Sequence, residues 1–136
     1  MPIKKPERPL RVGASGAKGN KHGQLIKTVN LKHDRPTVGE ALSRLDREIR
    51  RARQGGTTAL KVVHGYGSSG AGGDIRIAVQ ARLQEMAGDG RIRHCIFGED
   101  WSKSDEATWR LLQTRAELKQ DSDLGRTNRG ITIVVL

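Results

Sequence analysis

The sequence contains a single cysteine, Cys95, and has neither a CxxC pair nor a Cys/His cluster with the spacing of zinc ligands. A lone cysteine excludes an internal disulfide, so stability must come from packing. The sequence also lacks an apolar run close to the roughly 20 residues needed to cross a bilayer, and its first residues do not look like a secretory leader. These absences predict a cytoplasmic protein that has no membrane partner.

Acidic residues are too few to balance the basic ones, and the net charge is +10 over 136 residues. A basic surface concentrates polyanions such as nucleic acid and releases their counterions on binding. Residues 1–27 hold seven basic side chains and one acidic one, so this stretch alone supplies +6. The segment 1–24, which shows no regular apolar pattern, is predicted to be a basic, disordered arm ahead of one domain over 25–136. A role in solubility alone is the competing interpretation of the arm.

The first half of the domain reads as a strand followed by a helix. β-Branched residues and partial alternation predict a strand over 25–31. A capping box at Thr37 and Glu40 predicts the start of a helix, which a glycine pair after Gln54 ends. The apolar stripe of this helix, at helical spacing, consists of Val38, Ala41, Leu42, Leu45, Ile49 and Ala52.

The middle of the chain repeats the order of strand and helix. A short apolar run at 60–63 predicts a buried second strand, and a second helix is predicted from Asp74 onward. Residues 91–97 alternate basic and apolar side chains and predict a third strand. The residues predicted to share one face of that strand are Ile92, His94 and Ile96.

Residues 98–130 are polar and are predicted to be an insertion before a last strand at 131–136. One helix is predicted near 104–118, capped by Ser102 or Ser104. The residues predicted to lie on one side of this helix are Trp109, Leu112 and Ala116. The large side chains predicted to fill the core of the insertion, because the domain has few others, are Phe97, Trp101 and Trp109.

The order of these elements predicts the fold class. We expect an α/β two-layer sandwich, βαβα plus further strands, with a mixed sheet. Because strand connections of this kind are right-handed, both main helices should lie on one face of that sheet.

A glycine-rich loop at 65–73 joins the second strand to the second helix. Such a loop favours phosphate binding, because exposed backbone amides and the positive end of the helix dipole point at the same place. Residues 65–70 match GxGxxG, but no ribose-binding acid follows at the required place, and no Walker lysine is present. A simple turn is the structural alternative.

At this loop the sequence resembles the Smr (small MutS-related) domain family. The HGxG turn of the family stands here as His64-Gly65-Tyr66-Gly67, and its terminal GxTxVxL strand stands as residues 130–136. The stretch 37–42 is similar to the family's first helix. The resemblance covers roughly 25–136 and implies a nucleic-acid-binding domain, which in many members is an endonuclease on DNA or RNA.

The first motif of the family, LDLHG, is altered in this chain. Asn30 stands where the family has its acid, and Lys32 stands where it has its histidine. An amide cannot act as a general base, whereas a lysine keeps the positive charge that a phosphate needs. Binding therefore tolerates this change better than cleavage does. His33 and Asp34 lie beside these positions and are the substitutes that the sequence offers for catalysis.

The resemblance makes His64 a candidate for catalysis or phosphate binding, and a histidine satisfied by nearby backbone is the alternative. Tyr66, between two glycines, is predicted either to stack on an unpaired base or to pack as a lid. No metal ligand is predicted, and a divalent metal ion is expected only if the domain cleaves. The predicted nucleic-acid or phosphate ligands are Asn30, Lys32, His64, Gly65, Tyr66, Gly67 and Ser68.

A second class of function is compatible with the same loop. The chain could be a small-molecule or nucleotide-phosphate binding protein that uses the glycine-rich turn for one phosphate. The basic residues 1–27 favour the first class, because a polyanion binder gains from a segment of charge +6 while a nucleotide enzyme has no use for it.

Overall fold

The computed structural model describes residues 26–66 and 72–136. The predicted arm at 1–24, together with Gly67 and Ser68 of the glycine-rich loop, lies outside the described residues. The strands are β1 (Ile26–Asn30), β2 (Ala59–Val63), β3 (His94–Phe97) and β4 (Ile131–Val135), and the α-helices are α1 (Val38–Gln54), α2 (Gly72–Gly88) and α3 (Glu106–Thr114). Short 3₁₀ helices occupy Gly98–Asp100 and Ala116–Gln120. No described helix is long and apolar enough to cross a membrane.

The strands form one mixed sheet in the order β1-β2-β4-β3. β1 and β2 are parallel, and β4 runs antiparallel to both β2 and β3. Three strands therefore end at one edge of the sheet, where Asn30 pairs with Val63, Val63 with Ile131, and Phe97 with Thr132. We call this edge the carboxyl end of the sheet. Loops that follow β1, β2 and β3 meet there.

Both main helices cover one face of the sheet, as predicted. Their apolar stripes pack with Val29, Leu60, Val62 and Val134 in one buried cluster. α1 begins at the predicted capping box, in which the Thr37 hydroxyl accepts a hydrogen bond from the Glu40 amide and the Glu40 carboxylate accepts one from the Thr37 amide. The predicted α/β fold with a mixed sheet is confirmed.

The opposite face of the sheet is covered by the segment 98–130. A second buried cluster joins Ile131, Ile133 and Val135 of β4 to Trp101, Leu111, Leu112 and Leu118 of this segment. All five residues of β4 are consequently buried. The segment predicted as an insertion thus contributes its own apolar side chains to the core.

A half-buried ion cluster connects this segment to β2. The Lys61 ammonium lies 2.9 Å from a carboxylate oxygen of Asp121 and also contacts the carboxylate of Asp123. Asp121 accepts a further hydrogen bond from the Trp101 indole at 3.0 Å, and Asp123 accepts one from the Asn128 amide at 3.0 Å. Burial opposes the charge of Lys61, but its hydrogen bonds to both aspartates outweigh this and raise its pKa.

The predicted third strand is too long at its amino end. The chain passes through Gly90 with φ of 82° and returns to α2, where the Arg91 amide donates to the Met86 carbonyl at 2.8 Å. This turn breaks the alternation before His94. Ile92 therefore packs in the cluster under the helices, whereas Ile96 packs in the cluster on the opposite face, so the prediction that they share a face is wrong.

The helix within 98–130 is shorter than predicted and turns another face inward. Asp105 caps it, accepting a hydrogen bond from the Thr108 amide at 3.0 Å, and Thr108, Leu111 and Leu112 are its buried residues. The predicted Ser102 or Ser104 cap is therefore wrong, and of the side predicted to carry Trp109, Leu112 and Ala116 only Leu112 is buried. Trp109 is 53% exposed and Ala116 is exposed, because the helix ends at Thr114 and Trp101 fills the core instead. Phe97 is half-buried.

Candidate functional site

The carboxyl end of the sheet holds the residues that the sequence singled out. Asn30 ends β1, and His64, Gly65 and Tyr66 directly follow β2. The amides of His64 and Gly65 both donate to the carbonyl of Gly130, each at 3.0 Å, which holds the turn against the start of β4. The two motifs of the resemblance, more than 60 residues apart in the chain, thus meet at one edge.

Gly65 is a position that requires glycine. Its φ of 84° lies in the left-handed region, where a Cβ is strained. A Cβ there would also lie 3.5 Å from the side chain of Lys32, so the turn after β2 and the turn after β1 are in contact. The structure thereby brings Lys32 to the HGxG turn, as the resemblance implies.

His64 is fully buried and both of its ring nitrogens have partners. Nδ1 donates to the Gly65 carbonyl at 2.8 Å, and Nε2 accepts from the Thr132 hydroxyl at 2.9 Å. This network assigns the neutral Nδ1–H tautomer. Burial is the main cause that lowers the pKa of His64, and the Arg76 charge adds to it, against the hydrogen bond to Gly65 and the charge of Glu99.

This geometry favours the structural interpretation of His64. The ring has no exposed atoms, and both of its nitrogens have hydrogen-bond partners inside the protein. It therefore holds the turn in place and offers no N–H to a bound phosphate in this conformation. Its role at the site is that of a positioning residue. The sequence offered both interpretations, and only burial distinguishes them.

Replacement of His64 by asparagine should change the pH dependence of stability. The folded pKa of His64 lies below its unfolded value, so the unfolded chain gains a proton first and the free energy of unfolding falls as pH drops below about 6.5, by at most about 1.4 kcal/mol per pH unit. The variant should lose this part of the slope between pH 7 and 5. Urea titrations at several pH values measure it, and parallel curves for both proteins would contradict the buried neutral ring.

Tyr66 is the exposed aromatic group of this edge, with 51% of its surface accessible. The guanidinium groups of Arg76 and Arg129 lie 5.7 and 5.9 Å from the centre of its ring. Arg129 also donates to the Tyr66 hydroxyl at 3.3 Å. In the part of the chain that the structure describes, neither arginine forms an ion pair, so both charges are available to an anion.

Arg76 and Arg129 were missed by the sequence reasoning. Arg76 lies in the first turns of α2, and Arg129 lies one residue before the Gly130 that anchors the turn. A cation within a few residues of each glycine motif was the only signal available. Their shared position over Tyr66 depends on the pairing of β2 with β4, which the sequence does not display.

The turn after β1 carries the other candidates. The Asn30 side chain accepts a hydrogen bond from the Lys32 amide at 2.9 Å and so shapes this turn. His33 and Asp34 are exposed and lie 3.3 Å apart, side chain to side chain. Asp34 adopts φ of 64°, and it lines an open cavity of about 540 Å³ beside the start of α1 rather than the HGxG turn. No group of three or more His, Cys, Asp or Glu side chains within 26–66 and 72–136 could hold a metal ion.

A comparison with solved structures supports the predicted fold. The structure is similar to the crystal structure of the Smr domain of Thermus thermophilus MutS2, with a TM-score of 0.50 and 24% sequence identity over 81% of this chain and 96% of that one. No family model matches the sequence, and a search of curated proteins finds no match. The domain has an Smr-type fold.

Proposed function

We propose that this domain of Smr-type fold binds nucleic acid through the carboxyl end of its sheet. The surface consists of Lys32, Tyr66, Arg76 and Arg129. The observation that carries the proposal is the exposed Tyr66 ring with two arginines over it, neither of them paired with a carboxylate of residues 26–66 or 72–136. Aromatic rings stack on unpaired bases, and neighbouring cations contact the phosphates of the same strand.

Charge supports a polymer as the ligand. The chain carries +10 in total, of which residues 1–27 supply +6, so a long polyanion has more to gain than a single nucleotide. The contribution of the arm stays a prediction, as does the cytoplasmic location. The target is proposed as single-stranded or locally unpaired, because a ring that stacks on bases needs bases that are free of their partners.

The experiment is a titration of fluorescein-labelled 12-nucleotide single strands, followed by fluorescence anisotropy at several salt concentrations. The double variant Lys32→Gln with Arg129→Gln should bind roughly tenfold more weakly at fixed salt and show a shallower dependence of log affinity on log salt. The matched control is Arg50→Gln with Arg53→Gln, since both arginines lie exposed in the last turns of α1, near the opposite end of the sheet.

Equal binding by both double variants would contradict the proposed surface. A rise in melting temperature with mononucleotides, together with no binding of oligonucleotides, would instead support the small-molecule function.

Cleavage is a second candidate, which rests on the exposed His33 and Asp34 side chains 3.3 Å apart. A histidine oriented by a carboxylate can act as a general base. In this proposal Asn30 limits the reaction, since an amide replaces the acid of the resemblance. Incubation of the same strands with and without magnesium, using the parent and Asn30→Asp, tests it directly.

A further inference from the structure

In the part of the chain that the structure describes, three side-chain polar atoms at or near the proposed surface are buried without a hydrogen-bond partner. They are Nε of Arg76, Nε2 of Gln80 and Oε1 of Glu99. Buried polar groups in proteins are almost always paired, and those that are not are commonly completed by a ligand or by water. Two of these atoms are donors and one is an acceptor, so the missing partner has to both accept and donate.

The two donors belong to one helix. Arg76 and Gln80 lie one turn apart on α2, and an Arg76 Nη donates to the Gln80 side-chain oxygen at 3.4 Å. This contact directs the Gln80 amide nitrogen away from Arg76. Gln80 is 8% exposed and is therefore a polar side chain that is almost entirely inside the protein.

Glu99 approaches α2 from β3: Gln84, one turn after Gln80 on α2, lines one cavity with Phe97 and Asp100, the residues on either side of Gly98 and Glu99. Glu99 belongs to the 3₁₀ helix that directly follows β3, at the carboxyl end of the sheet. The charges of Arg76 and Glu99 both act on the buried His64 ring. The positive charge of Arg76 lowers its pKa, and the negative charge of Glu99 raises it. Arg76 and Glu99 are themselves half-buried, and the Arg76 guanidinium reaches the surface beside the Tyr66 ring.

We propose that Arg76, Gln80 and Glu99 form a pocket that reads the edge of an unpaired guanine, while Tyr66 stacks on its ring. This inference rests on the proposed nucleic-acid function and names the base that the surface prefers. In the complex, the base takes the place of the Arg76 guanidinium on the Tyr66 ring, which frees that guanidinium for hydrogen bonding.

Guanine is the base whose edge fits this set of groups. Its N1–H and N2–H donors lie side by side and match a carboxylate, and its O6 beside them accepts from arginine or glutamine. Adenine and cytosine place a lone pair next to their amino group, and uracil flanks its single N–H with two carbonyls. In each of these bases a lone pair faces the second oxygen of the carboxylate, and the two repel each other.

The test uses labelled 12-nucleotide oligoadenylates that are plain, or that carry one central guanosine or one central inosine, each made as ribo- and deoxyribo-oligomers. Inosine keeps N1–H and O6 and lacks only the 2-amino group. We expect the guanosine strand to bind roughly tenfold more tightly than the plain strand, with inosine between them. A similar preference for guanosine in the ribo- and deoxyribo-oligomers would show that the base is recognised. A preference found with only one of the two backbones would overturn the guanine pocket.

Glu99→Gln should abolish the preference for guanosine, measured as the ratio of the affinities of the same variant for the guanosine strand and for the plain strand. The matched control is Glu117→Gln, an exposed glutamate of the 3₁₀ helix Ala116–Gln120. Gln80→Leu gives a second variant in case Glu99→Gln lowers the melting temperature by more than a few degrees. It should also lose the preference, since it removes a donor to O6.

The outcomes separate the two proposals. If the parent binds no strand, the nucleic-acid function fails and the guanine pocket fails with it. If the parent binds all strands equally, or if Glu99→Gln keeps the preference, the pocket is overturned and the nucleic-acid function stands.

Discussion

Replacement of Lys61 by alanine is expected to lower the free energy of unfolding by about 3 to 5 kcal/mol. The Lys61 ammonium lies, largely shielded from solvent, between the carboxylates of Asp121 and Asp123, and these three groups form a polar link between β2 and the segment 98–130. Without the cation, two aspartates remain close together in a partly buried position. Such uncompensated charge costs far more than the loss of a surface ion pair.

Urea denaturation at pH 7 measures this effect, with Lys119→Ala as the control. Lys119 is exposed in the 3₁₀ helix Ala116–Gln120, and its removal should change stability by less than about 0.5 kcal/mol. A loss below about 1 kcal/mol for Lys61→Ala would mean that the cluster contributes little.

The same cluster predicts part of the acid sensitivity of the fold. The hydrogen bond from Lys61, and then the one from Asn128, hold the pKa of Asp123 below its usual range. A carboxyl whose folded pKa is depressed contributes stability above its unfolded pKa of about 3.9 and loses it as pH falls through the folded value. The parent should therefore lose more stability below pH 4 than Lys61→Ala does.

Gly98→Ala is expected to destabilise the domain by about 3 kcal/mol or more, because backbone atoms occupy the place of the new methyl group. A Cβ on Gly98 would lie 1.7 Å from the carbonyl oxygen of Asn128 and 2.8 Å from that of Ile131. Neither oxygen belongs to a flexible side chain, so the start of β4 has to move. That movement would also displace Glu99 and the Gly130 carbonyl that anchors the HGxG turn.

Gly88→Ala is the matched control for this substitution. Gly88 ends α2, and a Cβ built there meets no atom within 4 Å. Alanine at that position should leave stability unchanged or raise it by up to about 1 kcal/mol, since it restricts the unfolded chain. Thermal unfolding followed by circular dichroism compares the two variants, and similar melting temperatures would disprove the close approach at Gly98.

The elements of the domain could be predicted where their signals are local. The capping box at Thr37 and the apolar stripe of α1 involve residues three or four positions apart, which the sequence shows directly. Prediction failed where packing against a segment that is distant in the chain decides which face of a helix or strand is buried. Trp109 was expected in the core because of its size, but Trp101 already fills that space and hydrogen-bonds to Asp121.

The same distinction applies to the candidate site, where some residues could be predicted and others could not. The resemblance pointed to the turn at His64 and to Lys32, and the structure brings these together at one end of the sheet. The resemblance gave no sign of Arg76, Gln80 and Glu99, which come from two elements that are separated in the chain. The elements that carry these residues are neighbours only because β2 and β3 both pair with β4 and end at the same edge.

The sequence by itself determined the class of fold, the order of strands and helices and the excess of positive charge. These follow from interactions within a few residues or from composition, and so they are readable without coordinates. Only the tertiary structure decided that His64 is a buried support, that Lys61 joins two segments, and that Tyr66 is the exposed group at the site. Burial is a property of packed surfaces that lie far apart in the chain, and no local pattern encodes it.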